Sequence, residues 1–185
     1  MGTERVESLK GKLLISSGGL YDPNFRHTVV LIGEHNEEGA LGVILNRPRD
    51  VTVAQAVPAL ERLVPDGALL YQGGPVQPSG PVLLVELSRP ELADILVFDA
   101  VGFLVGNVSE DVAPFLVRAR VYAGYAGWGA GQLEAEMDQD SWLVEPARAD
   151  DVFTDAPDLL WSRVVARKGP EYRLLSRMPY DPRMN

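Results

Sequence analysis

Apolar residues recur along this chain with two periods, and the switches between them divide it into strands and helices. Residues 12–17 (KLLISS) form a short apolar run, as a buried strand does. After a turn-rich GGLYDPNF, residues 27–35 (HTVVLIGEH) are dominated by β-branched side chains, and a second run follows within residues 36–48 (NEEGALGVILNRP). The polar, glycine-closed Asn36-Glu37-Glu38-Gly39 between these runs predicts a β-hairpin. Residues 51–63 carry apolar side chains at helical spacing, with Pro58 either kinking that helix or dividing it into two short ones. Residues 68–74 and 81–87 read as strands, separated by a shaped loop rich in glycine and proline.

Residues 95–107 have no clear period, and residues 109–119 (SEDVAPFLVRA) predict a helix capped by Ser109, with Glu110 and Asp111 at its positive end. A strand over 119–128, a helix over 131–140, a strand over 141–146 and one or two helices over 149–168 complete the pattern. Hairpins come first and helices alternate with strands later, which predicts an α+β fold. The expectation is a single domain over residues 1–185, with flexible ends at 1–10 and about 178–185.

Composition narrows the function. A net charge of −9 with scattered basic residues disfavours direct nucleic-acid binding. The absence of cysteine excludes disulfides, thiolate metal sites and cysteine nucleophiles. The N-terminal stretch carries acidic residues and its apolar run is too short for a signal or a membrane span, so the expected location is the cytoplasm.

Four glycines in GYAGWGAGQLEAEM (residues 124–137) run into a predicted helix. No lysine and hydroxyl follow Gly131 as a Walker loop requires, and the glycine spacing of GWGAG is one residue short of the dinucleotide fingerprint. Two alternatives stay open: a tight corner packed on Trp128, or a helix start around Gly129, Gly131 and Gln132 that faces an anion. His27 and His35 share one face of a predicted strand but stand ~26 Å apart at strand rise, so they cannot share a metal, and no metal site is expected. His35 suits acid/base work by residue type, without an assignable partner. The turn YDPNFR places Asp22, Asn24 and Arg26 either in backbone hydrogen bonds or around a polar pocket. Asn46-Arg47-Pro48 offers a guanidinium that either clamps an anion or pairs with one of the many acids.

Three segments, DPNFRHTVVLIGEHNEEGALGVILNRP (22–48), YQGGPVQPSG (71–80) and GYAGWGAGQLEAEMDQDSWL (124–143), closely resemble the AlgH, or YqgE, family of small bacterial proteins, in the family's order. The resemblance implies a cytosolic α+β domain whose mostly antiparallel sheet is strongly bent and barrel-like, with helices packed outside. It implies no cofactor and no assigned reaction, although some members are called transcriptional regulators. Many relatives have cysteine where this chain has Gly33, so a thiol-based role does not carry over.

The function expected from these residues is a non-catalytic module with an indirect regulatory role. It would bind a small anionic ligand or a protein partner through Asn24, His35, Asn46, Arg47 and Gln132, together with Gly129 and Gly131. One alternative is a hydrolase or isomerase of a small metabolite using His35 and Arg47. Another is a purely structural interaction domain, and either a monomer or a homodimer fits.

Overall fold

The computed structural model describes residues 7–17 and 26–177. The expected terminal flexibility at 1–6 and 178–185, and Asp22 and Asn24 of the predicted polar turn, lie outside the described residues. Residues 8–10 run beside the second strand, with the Ser8 hydroxyl donating to the His35 carbonyl and Lys10 pairing with Glu34 at 3.0 Å.

β1 (Lys12–Ser16), β2 (Val29–Asn36) and β3 (Gly39–Ile44) are where the apolar runs place them. Asn36 pairs with Gly39 to close the β2–β3 hairpin, and Asn36 Oδ1 accepts the Glu38 N–H at 2.8 Å. Glycine is required at 39: its φ is +140°, and a Cβ there would collide with the Trp128 carbonyl on the neighbouring strand.

The first ambiguous segment divides at Pro58. β4 (Pro48–Thr52) leads into α1 (Val53–Ala56), capped by Thr52, and a separate 3₁₀ turn spans Pro58–Leu63. β5 (Leu69–Gln72) follows. β6 (Val76–Leu87) is longer than expected, because residues 76–80 belong to it and not to a loop. Pro78 fits because the ladder is interrupted between Val76↔Tyr125 and Pro81↔Ala123, where a missing N–H removes no pairing. β7 (Ile95–Phe98) and β8 (Val101–Leu104) form a hairpin from the segment without a clear period.

The helix predicted over 109–119 is only a 3₁₀ turn, Glu110–Phe115. Ser109 caps it as expected, but Pro114 has no N–H with which to extend it. From Leu116 the chain becomes β9 (Leu116–Gly129), the longest strand, followed by α2 (Gln132–Asp138), β10 (Trp142–Pro146), α3 (Ala149–Val152) and α4 (Pro157–Arg167).

Among the described residues, ten strands form one mostly antiparallel sheet, in which β5 and β9 run parallel. The fold is α+β, but the barrel expected from the resemblance is not formed. The strand order runs β10-β1-β2-β3-β9-β6-β8-β7, and its two ends do not pair with each other. β9 instead takes three partners along its length, β6 from 116, β5 at 122–123 and β3 at 126–129, so the sheet forks where a barrel would close.

Both faces of β1 and β2 are covered, which explains their unbroken apolar runs. With period two, Leu13, Ile15 and Leu31 meet Leu160, Trp161, Val164 and Val165 of α4, while Leu14, Val30 and Ile32 meet Leu133 of α2 with Trp128 and Trp142. Each such fully buried aliphatic side chain contributes about 1.5–3 kcal/mol relative to exposure. A third cluster, including Val53, Leu63, Leu83, Val85 and Val121, lies under α1 and the 3₁₀ turns. Asp151 is buried and accepts two bonds from Arg167, at 2.9 and 3.0 Å, which ties α3 to the C-terminal end of α4.

Candidate functional site

The predicted site residues separate to the two ends of the β2–β3 hairpin. His35 lies beside the turn, whereas Asn46 and Arg47 follow β3 at the other end, ~20 Å away at strand rise. His35 and Arg47 therefore do not converge on one pocket.

At the turn end, polar groups satisfy one another. The Leu9 N–H donates to His35 Nδ1 at 2.9 Å, so that nitrogen holds the lone pair and the ring proton sits on Nε2, 2.6 Å from Glu134 Oε1. The imidazole side chain is 2% exposed, and neither nitrogen has a lone pair left to take a proton from a ligand. Burial pushes the Glu134 carboxyl up, but its own backbone N–H and the His35 hydrogen bond outweigh this and hold it below the usual carboxylate range.

The glycine corner lies next to this pair, at the exposed start of α2. Gly131 has a φ of +74° and starts α2, and Gln132 Oε1 accepts the Gly129 N–H at 3.0 Å. Gln132 Nε2 donates to Glu136 at 3.3 Å, and Glu136 Oε2 accepts both the Trp128 and the Trp142 indole N–H, at 2.9 and 2.8 Å. The two indoles meet edge to face, 6.2 Å between centroids. Gly129, Gly131 and Gln132 are exposed, and the Gln132 hydrogen bonds link the end of β9 to the start of α2.

The other end is built differently. Asn46 brackets the start of β2: its Nδ2 donates to the His27 carbonyl at 2.8 Å and its Oδ1 accepts the Val29 N–H at 3.0 Å. That bracket holds His27 at a φ of +49°, a left-handed conformation uncommon for a side-chain-bearing residue. The imidazole stacks on Trp161, 3.8 Å between centroids and 10° between planes. Trp161 is 3% exposed and anchored by its indole N–H to the Ser16 carbonyl at 3.0 Å. Burial, with the nearby Arg26 guanidinium, pushes the His27 pKa below its usual value, so the ring is neutral at pH 7.

Arg47 is held by its backbone carbonyl, which accepts the Gln72 N–H at 2.8 Å, and by Nη2, which donates to the Arg26 carbonyl at 3.2 Å. Facing these groups is the first turn of α4, opened by Pro157 and without a side-chain cap. Between them lies a cavity of about 590 Å³, lined by Arg26, His27, Arg47, Asp158, Trp161 and Ser162 among others. Its size is that of a small-molecule site.

The sequence pointed to Arg26, Asn46 and Arg47, which meet here. It gave no role to His27 beyond a metal test, and none to Trp161 or Asp158. The left-handed backbone at 27 leaves no mark on composition, and Trp161 lies far along the chain. Among the described residues no three His, Asp or Glu side chains group as a metal site, and no helix is long and apolar enough to cross a membrane.

A second cavity, about 220 Å³ and apolar, lies between the hairpin and β6–β8, with Leu41, Tyr125, Phe103 and Val105 on its walls. Gly33 sits there at a bulge in β2, and a Cβ at this position would lie 2.6 Å from Phe103 Cε2. A side chain at 33 therefore requires Phe103 to move.

The AlgH-like family model matches residues 13–173, which includes both hairpin ends and α4. This chain belongs to the AlgH-like family. A UPF0301 protein of Chlorobaculum tepidum is 40% identical over 191 residues, covering 99% of this chain and all of that protein. One from Thermobifida fusca is 42% identical over 190 residues and 96% of each chain. Among solved structures, protein DIP2367 of Corynebacterium diphtheriae superposes with a TM-score of 0.83 at 28% identity, over 94% of both chains. The solution structure of the AlgH protein of Pseudomonas aeruginosa gives 0.69 at 31% identity, over 97% of this chain and 98% of that one. These likenesses make the sheet and hairpin of this chain an AlgH-like framework, and they assign no reaction to it.

Proposed function

We propose that this AlgH-like protein is a non-catalytic cytoplasmic module that binds a small anionic ligand at the Arg26–Arg47 end of the hairpin, with a regulatory consequence. The observation that carries this reading is that Arg26, Arg47 and the first turn of α4 line one cavity of about 590 Å³. Guanidinium groups present planar, paired donors to carboxylate or phosphate, and a helix start adds a partial positive charge. In a chain of net charge −9, this pairing of arginines is a local exception to the overall sign. The closed His35–Glu134 pair supports a binding role over acid/base catalysis, because its imidazole is committed to holding Leu9 and α2 in place.

Calorimetric titration with inorganic phosphate and citrate, at low ionic strength and again at high salt, tests the proposal. Binding that weakens with salt and falls at least tenfold in Arg47→Gln is expected. No heat from either anion, or equal affinity in the variant, overturns it.

A second reading, partner binding, draws on the apolar cavity, where Leu41 is 48% and Val105 57% exposed. Leu41→Asp would abolish such an interaction while leaving anion binding intact.

A further inference from the structure

The apolar cavity of about 220 Å³ does not stand alone. It shares Leu104 and Val105 with a neighbouring cavity of about 410 Å³, which Leu92, Val108, Val112 and Phe115 also line. Val105, on the shared wall, is 57% exposed, and Leu41 in the first cavity and Leu92 in the second are 48% and 36% exposed. The shared wall is held in place, because the Val105 N–H donates to Asp94 Oδ2 at 2.8 Å and the Asp94 N–H donates to the Phe103 carbonyl at 3.0 Å. Exposed apolar side chains gathered around two adjoining hollows mark an interaction surface, where scattered ones do not.

The charge on this surface has one sign. Glu34 lines the first cavity and Asp94 and Asp111 line the second, while no lysine, arginine or histidine lines either among the described residues. Arginines line the anion cavity and the cavities beside Arg62 instead. Lys10 is paired with Glu34 at 3.0 Å, and Arg89, over the Phe115 ring, with Glu91 at 2.9 Å, so these two cations are engaged. Asp94 and Asp111 carry the negative charge that a partner meets.

We infer that this face seats a basic amphipathic helix of a partner protein, with apolar anchors on either side of Val105 and lysine or arginine against Asp94 and Asp111. The inference rests on the partner-binding reading and names the partner's chemistry. Backbone pairing decides the form of the occupant. Every strand that walls the first cavity, except β7, lies inside the strand order and is paired on both sides. The second cavity is walled largely by 3₁₀ turns and the segment after β8. A segment seated here has no ladder to join and must satisfy its own N–H and C=O groups, as a helix does. The carboxylates favour a basic helix and repel the headgroups of an anionic membrane.

Fluorescence anisotropy on the full chain tests this with a labelled four-turn helix of leucine and lysine, its leucines in one stripe. Its scrambled sequence, its glutamate and glutamine counterparts and phosphatidylglycerol vesicles are compared. Expected is binding at least tenfold tighter than that of the scrambled or glutamate peptide, lost at least tenfold in Val105→Asp and in Leu92→Asp. Asp111→Lys should weaken it about threefold, and Asp138→Lys on α2, outside both cavities, should not. Thermal melts check that these exposed substitutions leave the fold intact. Scrambled peptide that binds equally well, or equal losses in Asp111→Lys and Asp138→Lys, reduces the effect to bulk charge attraction and overturns the inference. A glutamate or glutamine helix that binds as tightly as the lysine helix, and is weakened by Val105→Asp, overturns the basic partner and leaves partner binding standing. Vesicle binding that Val105→Asp abolishes overturns the inference in favour of a membrane surface. No peptide binding, or binding that Val105→Asp and Leu92→Asp leave unchanged, brings down both readings.

Discussion

The two ends of the β2–β3 hairpin carry similar residue types and use them in opposite ways. At the turn end a histidine, two tryptophans, a glutamine and two glutamates bond to one another until the imidazole and both indoles are engaged. At the other end a histidine, a tryptophan, two arginines and an aspartate line a cavity of about 590 Å³. Side-chain chemistry alone does not mark a site. The difference lies in whether the side chains close on one another or line a cavity.

On the proposed reading the turn end is a stability element and the open end a binding element, and substitutions should divide the same way. The largest effect is expected for Glu136→Leu, which strips the acceptor from two indole N–H groups that are buried against α2. A loss of about 2–4 kcal/mol in urea unfolding is expected, with anion affinity unchanged. A change in affinity there would dissolve the contrast between the ends.

Asn46→Ala should come next, because it releases both the His27 carbonyl and the Val29 N–H. About 1–3 kcal/mol of stability is expected to go, and anion binding with it, since the left-handed backbone at His27 is no longer bracketed. Retention of full affinity would show that the bracket does not shape the site. Arg47→Gln should cost under ~1 kcal/mol of stability while weakening phosphate at least tenfold, which is about 1.4 kcal/mol in binding.

The smallest effect concerns pH. The folded pKa of His27 is lowered from 6.5, so below that pH the unfolded chain binds more protons than the folded one. Stability contributed by this group is therefore full above pH 6.5 and declines as pH falls from there to the folded pKa. Anion binding should run the other way in the same window, because a bound anion favours the imidazolium. Melts and titrations of the parent chain against His27→Gln, from pH 5 to 8, isolate both slopes. Parallel slopes would mean that His27 does not face the anion.

Much of the fold was legible in the sequence wherever one local signal decided the outcome. The runs at residues 12–17 and 27–35 and the Asn36–Gly39 turn needed only period and turn chemistry. Residues 109–119 misled because Ser109 and its acidic followers signal a helix start, while the termination depends on Pro114 and on the pairing of Leu116 with β6. The strand character of residues 76–80 was hidden because prolines argue against a ladder unless the ladder is interrupted there. Sheet closure was not readable either, since it depends on three strands competing for β9.

Within the site, Arg26, Asn46 and Arg47 stood out as polar residues flanking turns. Asp158 and Trp161 looked like ordinary residues of an amphipathic helix. Only the packing of α4 against β1 and His27 brings them to the same cavity.

The order of strands also constrains when the chain can fold. β1 emerges among the first residues yet pairs with β10, Lys12 against Pro146, and β3 waits for β9 at residues 126–129. During synthesis β1, β2 and β3 can pair early from neighbouring sequence, but the outer edges of β1 and β3 must remain unpaired or be shielded until β10 and β9 have left the ribosome. A release of the chain before Trp142 would strand β1 with one naked edge, making translation arrest in that region a route to aggregation.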